Sequence, residues 1–142
     1  MEQFPQDTFI EKVPEQTPLE LSGLDNGGKA VFVPKTLRSG QTVFFEGSVV
    51  VMGDVNHGAQ IIAGGHVVVM GALRGFVHAG YGGFSDATVT ALELHPTQLR
   101  IGEHITREPE GEHEPRNTGA EIARIKDGMV VVEKYKVARQ LL

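Results

Sequence analysis

Gly47-Ser48-Val49-Val50-Val51-Met52-Gly53 returns eighteen residues later as Gly65-His66-Val67-Val68-Val69-Met70-Gly71. The correspondence runs on more loosely, Val55 with Leu73, Ala59 with Val77 and Ile61 with Ala79. A fixed short period means that one supersecondary unit is stacked on another. The unit is β-branched and glycine-punctuated, which predicts stacked strands and not a helical repeat. The expected fold is an all-β solenoid, an architecture that offers surfaces more readily than a catalytic pocket.

Outward from this repeat, residues 40–83 hold eleven of the eighteen glycines, placed between apolar runs. A solenoid turns sharply several times per coil, and glycine reaches the positive φ that such corners require. Gly80-Tyr81-Gly82-Gly83 reads as one of these corners, since it lacks the lysine and the strand–helix context of a phosphate cradle. A third coil reads at Ala87–Leu94, closed by Pro96 and followed by Gln98–Gly102. Residues 103–118, rich in Glu with Pro109 and Pro115, read as an exposed loop. A last coil is expected at Ala120–Glu133, because Gly128-Met129-Val130-Val131-Val132 echoes the first two.

Upstream, residues 1–34 contain Pro5, Pro14, Pro18 and Asp25-Asn26-Gly27-Gly28 and read as a flexible linker or arm, with Val31-Phe32-Val33 as a short first strand. The solenoid domain is placed at 35–134. Residues 135–142 form a tail, either a short amphipathic helix or a frayed end.

Composition excludes several function classes. The chain has no cysteine, so neither disulfides nor thiolate metal sites occur. No secretory signal pattern follows Met1, and no apolar run approaches membrane-spanning length. The net charge of −5 is uneven: residues 1–34 carry six acids and two bases, while 35–102 carry four of each. No basic stripe is present, which argues against nucleic-acid binding. The six histidines show no i, i+4 pairing and no HExxH pattern, so neither a metal site nor a catalytic set is expected. His66 and His78 read as solvent-facing strand or corner residues. No cofactor is implied.

Strand alternation adds one further expectation. If Val49 and Val51 point inward, Val50 and Met52 point outward, beside Val68 and Met70 one strand over, about 4.8 Å away. Val131 is expected to extend the row. An apolar ladder on the outside of a solenoid reads as an interface, and identical chains use such patches in two-fold pairs. The competing reading folds the arm or the tail over this face.

Thr36-Leu37-Arg38-Ser39-Gly40-Gln41 precedes the first repeat. Arg38 carries a fork of donors suited to a partner's carboxylate, and Gly40 permits a tight turn. Taken with Gly53-Asp54-Val55-Asn56-His57-Gly58-Ala59, Gly71-Ala72-Leu73-Arg74-Gly75, Ala79-Gly80 and Glu121–Gly128, it resembles the C-terminal domain of MinC, the bacterial septum site-determining protein. The resemblance covers roughly 36–133. It implies a short right-handed β-helix of triangular section that dimerises through an apolar face. It also implies docking to the membrane-associated ATPase MinD through Arg38, Ser39, Gly40 and Gln41, with Asp54 near the same surface. MinC proteins oppose assembly of the tubulin-like FtsZ, so FtsZ is an implied partner. The implied location is the cytoplasm, with membrane contact only through MinD. Residues 1–34 are too short and proline-rich to be the α/β domain with which family members begin.

Two other readings compete. A bactofilin-like scaffold would polymerise end to end through open strand edges. A hexapeptide acyltransferase would show an aliphatic residue at every sixth position, a rule absent here. The adaptor reading is preferred, with no enzyme activity expected.

Overall fold

Short valine-rich runs separated by glycine corners cannot hide an apolar face alone, but stacked in parallel they enclose one. The computed structural model describes residues 28–106 and 119–137. In chain order the strands are β1 (Ala30–Val33), β2 (Thr42–Phe45), β3 (Ser48–Val51), β4 (Gln60–Ala63), β5 (Val67–Leu73), β6 (Phe76–Ala79), β7 (Val89–Leu94), β8 (Gln98–Ile101), β9 (His104–Thr106), β10 (Glu121–Lys126) and β11 (Met129–Lys134). They form two sheets. Sheet A runs β1-β3-β5-β7-β10-β11 and sheet B runs β2-β4-β6-β8-β9. A third, narrower side is held by the parallel bridges Leu37–Val55 and Val55–Leu73. The result is a three-sided β-helix of four coils, all-β as expected.

The eighteen-residue offset aligns Val49 with Val67 on sheet A and Val43 with Ile61 on sheet B. Val31-Phe32-Val33 pairs with Val49-Val50-Val51, so the first strand is real and belongs to sheet A. The interior is a column of small aliphatic side chains: Val49, Val51, Val55, Ile61, Val67, Val69 and Val77 are all fully buried. Burying each of the larger ones contributes roughly 1.5–3 kcal/mol.

Several expectations need correction. On sheet B the second offset shortens: Ile61 pairs with Val77, not Ala79, and Ala59 is not opposite Val77. The turn Asn56–Gln60 between Val55 and Ile61 is replaced by the shorter Arg74–Phe76, so the period slips at a corner while the rungs remain stacked. The next corner, Gly80–Thr88, is longer and includes the glycine-rich stretch assigned to a turn. In β5 one extra residue intervenes between the pairs Val69–Ala91 and Ala72–Glu93, a bulge that bends the strand from sheet A onto the third side.

The end of the chain is not a further coil. β10 runs antiparallel to β7 and turns back as β11 through Asp127 and Gly128, with φ of 53° and 78°. Two adjacent positive φ angles are the signature of a two-residue hairpin turn, and Asp-Gly is a preferred sequence for it. Within the span read as a loop, His104–Thr106 pairs antiparallel with β8. The expectations for 1–27, 107–118 and 138–142 lie outside the described residues. Among the described residues no helix is long and apolar enough to cross a membrane.

Candidate partner-docking surfaces

The Arg38 turn lies at the open rim, between the third side and sheet B. Leu37 is buried and anchors it to the core. The Arg38 N–H donates to Gln41 Oε1 at 2.8 Å, and the Gln41 N–H donates to the Arg38 carbonyl at 2.9 Å. The Gly40 N–H donates to the Gly58 carbonyl at 2.9 Å, tying the turn to its counterpart one coil on. Gly40 has φ +90°, and Gly58, at φ +87°, lies so close to Ser39 that an added Cβ would strike its hydroxyl. Gln41 therefore braces the loop, and Gly40 and Gly58 allow its path. Arg38, Ser39, Gly40 and Gln41 are all exposed. Arg38 has no carboxylate partner within ion-pair distance among the described residues.

Asp54 sits at the neighbouring corner, half-buried. Its Oδ1 accepts the Ala72 N–H at 2.8 Å, and its own N–H donates to Thr36 Oγ1 at 3.1 Å. Ser48 does the same at another corner, accepting the His66 N–H at 2.9 Å, and the His66 ring accepts the Thr88 N–H at 3.0 Å. Polar side chains at the corners thus clip each coil to the next, as buried backbone groups require. Arg74 donates to Asn56 Oδ1 at 3.2 Å on the same third side.

The outer face of sheet A is the second surface. Val50 pairs with Val68, and this row continues through Phe32 on one side and Thr90 and Ile122 on the other. Met52, Met70 and Leu92 are 47%, 46% and 44% exposed, and Phe32 is 64% exposed. Val131 faces the same way but pairs with Arg124, while Ile122 pairs with Glu133. It therefore lies beside the Val50–Val68 row and does not extend it, because the hairpin shifts the register. Leu92 and Ile122 were missed in the sequence, since the bulge and the reversed strand hide their alignment with the repeat. At the margin of this face an open hollow of ≈ 510 Å³ is lined by Ile122, Arg124, Glu133, Lys134, Tyr135 and Lys136. Arg124 and Glu133 are ion-paired at 3.1 Å.

On sheet B, His78 is not solvent-facing as expected but only 8% exposed. Tyr81, from the long corner, folds back over the outer face. Its ring meets His78 edge-on at 5.4 Å and Phe44 at 5.3 Å. His78 Nε2 donates to the Gly102 carbonyl at 3.0 Å. Burial pushes its pKa down, partly opposed by that hydrogen bond, with Arg100 adding to the depression.

Residues 31–135 match the family described as "Septum formation inhibitor MinC, C-terminal domain". A probable septum site-determining protein MinC of Heliobacterium modesticaldum is 54% identical over 115 residues, covering 79% of this chain and 39% of that protein. One of Acetivibrio thermocellus is 54% identical over 104 residues, covering 73% of the chain and 46% of that protein. The chain therefore spans less than half the length of these curated relatives. Among solved structures, a chain of the "MinC:MinD cell division protein complex, Aquifex aeolicus" is similar with a TM-score of 0.71 and 33% identity, over 78% of this chain and 90% of that one.

Proposed function

The chain belongs to the family of the MinC C-terminal domain, and from that membership we propose that it is a non-enzymatic docking module for division-site selection. Two chains pair through the outer face of sheet A, centred on Val50, Met52, Val68 and Met70, with Val131 at the margin. Each presents its Arg38 turn to a MinD-type ATPase, which carries the dimer to the inner face of the membrane from the cytoplasm. FtsZ is the protein whose assembly is opposed. The paired chains dock bivalently, so the first contact raises the effective concentration for the second.

The observation that carries this reading is the braced turn. Its backbone is tied to itself and to the next coil, while the Arg38 guanidinium is left exposed and without a carboxylate among the described residues. A pre-ordered loop with a free fork of donors loses little entropy on meeting a carboxylate. Likeness to a chain of a MinC:MinD complex supports the choice of partner. Asp54 contributes to this surface by holding the adjoining corner.

Co-sedimentation with ATP-loaded MinD on liposomes tests the proposal. Arg38→Ala is expected to abolish it while leaving the dimer intact, and Gln41→Ala to weaken it by releasing the turn. Unchanged binding by Arg38→Ala removes that residue from the site. The bactofilin-like alternative requires matching coil ends, and the antiparallel strands β9 and β11 at one end weigh against it.

A further inference from the structure

The third side of the prism stacks one residue from each coil in a row. The Leu37–Val55 and Val55–Leu73 bridges and the Leu73–Leu94 pair set its register. Leu37, Val55, Leu73 and Leu94 point inward and are buried. The residues that follow them, Arg38, Asn56, Arg74 and His95, therefore face outward one above another, about 4.8 Å apart per coil. Backbone bonds fix the stack. The Asn56 N–H donates to the Leu37 carbonyl at 3.0 Å, the Arg74 N–H to that of Val55 at 2.7 Å and the His95 N–H to that of Leu73 at 2.9 Å.

The hydrogen bonds already made decide what this row can still offer. Arg74 Nη1 donates to Asn56 Oδ1 at 3.2 Å. An arginine has no acceptor, so the orientation of the Asn56 amide is fixed: its oxygen is used and its NH2 is left over. Gln41, at the rim, is committed in the same way, because its Oε1 takes the Arg38 N–H. Two amides that could accept or donate are thus both turned to donating. Beside them stand the Arg38 guanidinium and the remaining N–H groups of Arg74. Neither arginine has a carboxylate within ion-pair distance among the described residues. The acids of this side lie outside the row: Asp54 holds the Ala72 N–H, and Glu93 stands one coil beyond Arg74. Arg74 is half-buried, whereas Arg38 is exposed.

We infer that the docking site at the Arg38 turn continues along this row, with Asn56 and Arg74 forming a second anchor for a partner carboxylate. The two anchors are two coils apart, about 10 Å. The inference rests on the docking reading above and adds the chemistry of the partner to it: a pair of carboxylates aligned with the solenoid axis at that spacing. Arg74 is placed by Asn56 before the partner arrives, so little rotamer freedom is lost on contact. Charge-assisted bonds to a half-buried guanidinium are also stronger than those at an exposed rim. A partner surface without acceptors would leave the row's donors unmet, which sets specificity as well as affinity.

The test titrates the full 142-residue chain with ATP-loaded MinD on liposomes. Arg74→Gln keeps a donor toward Asn56 but removes the charge. It should weaken binding about ten- to hundredfold and flatten its salt dependence, with melting and dimer mass as in the parent. Asn56→Asp still accepts the Arg74 bond but puts a negative charge where the NH2 was, and it should weaken binding about tenfold or more. Should Asn56→Asp fail to fold, Arg74→Gln alone decides. Parental affinity and salt slope in Arg74→Gln, while Arg38→Ala abolishes binding, overturn the second anchor and leave the docking reading standing. Weakened binding that comes with a lowered melt or a lost dimer is a structural effect and also overturns it. No binding by the parent chain overturns both.

Discussion

The Asp54 carboxylate accepts the backbone N–H of Ala72, eighteen residues on, at 2.8 Å. It thereby clips one coil to the next at the corner where sheet A gives way to the third side. Gly71 beside it has no room for a side chain, because a Cβ there would collide with Asp54 Oδ1. A residue expected at a partner contact thus has a structural task of its own.

Asp54→Ala should lower stability by about 1–3 kcal/mol, the cost of leaving a buried donor unmet. Asp54→Asn retains an oxygen acceptor and should lose much less. Chemical denaturation of the two variants checks this. Equal losses would mean that charge, not the hydrogen bond, holds the corner.

Gly64→Ala should be more harmful than Gly82→Ala, although Gly82 has φ +97° and Gly64 shows no left-handed φ. A Cβ on Gly64 runs into the Glu46 carbonyl oxygen of the preceding coil, whereas nothing lies within 4 Å of one on Gly82. The expected costs are about 1–3 kcal/mol or more for the clash and about 1–2 kcal/mol for the backbone conformation. Thermal melts of both variants report the order.

Val50→Glu with Val68→Glu should give a folded monomer, since both side chains face outward on sheet A and neither fills the core. Light scattering reports the mass and circular dichroism the fold. A surviving dimer moves the interface to another face.

Stability should fall as the pH drops below about 6.5. Burial beneath Tyr81 holds the His78 pKa below that of the unfolded chain, so the unfolded state takes up the proton first. The loss levels off once the folded imidazole is itself protonated. Arg100 nearby deepens the depression and Glu103 opposes it. His78→Gln should flatten the stability profile between pH 7 and pH 5, as measured by urea unfolding at a series of pH values.

The repeat was legible because its side chains alternate in and out with a strand's period of two, and stacking Val49 on Val67 leaves no other register. The corners were not. Two residues fewer between Leu73 and Val77 than between Val55 and Ile61 do not interrupt any apolar pattern, so the slip in period was invisible. The closing hairpin looked like a coil because Val130-Val131-Val132 reads equally well in either strand direction. Only the Asp127-Gly128 pair signalled the reversal. In the candidate docking turn, Arg38, Ser39, Gly40 and Gln41 could be singled out, but the bracing bond from the Arg38 N–H to Gln41 Oε1 needed coordinates. The burial of His78 is not legible in the sequence because the residue that covers it, Tyr81, comes from an irregular corner that no periodicity places.

The unequal corners carry an engineering consequence. The sides of the prism keep their spacing while the vertex between sheets B and A grows from three residues, 64–66, to nine, 80–88. Length is thus absorbed where the backbone already bends, leaving the walls undisturbed. Foreign peptides spliced between Gly82 and Gly83 would be displayed from a chassis that has already accommodated the same kind of insertion.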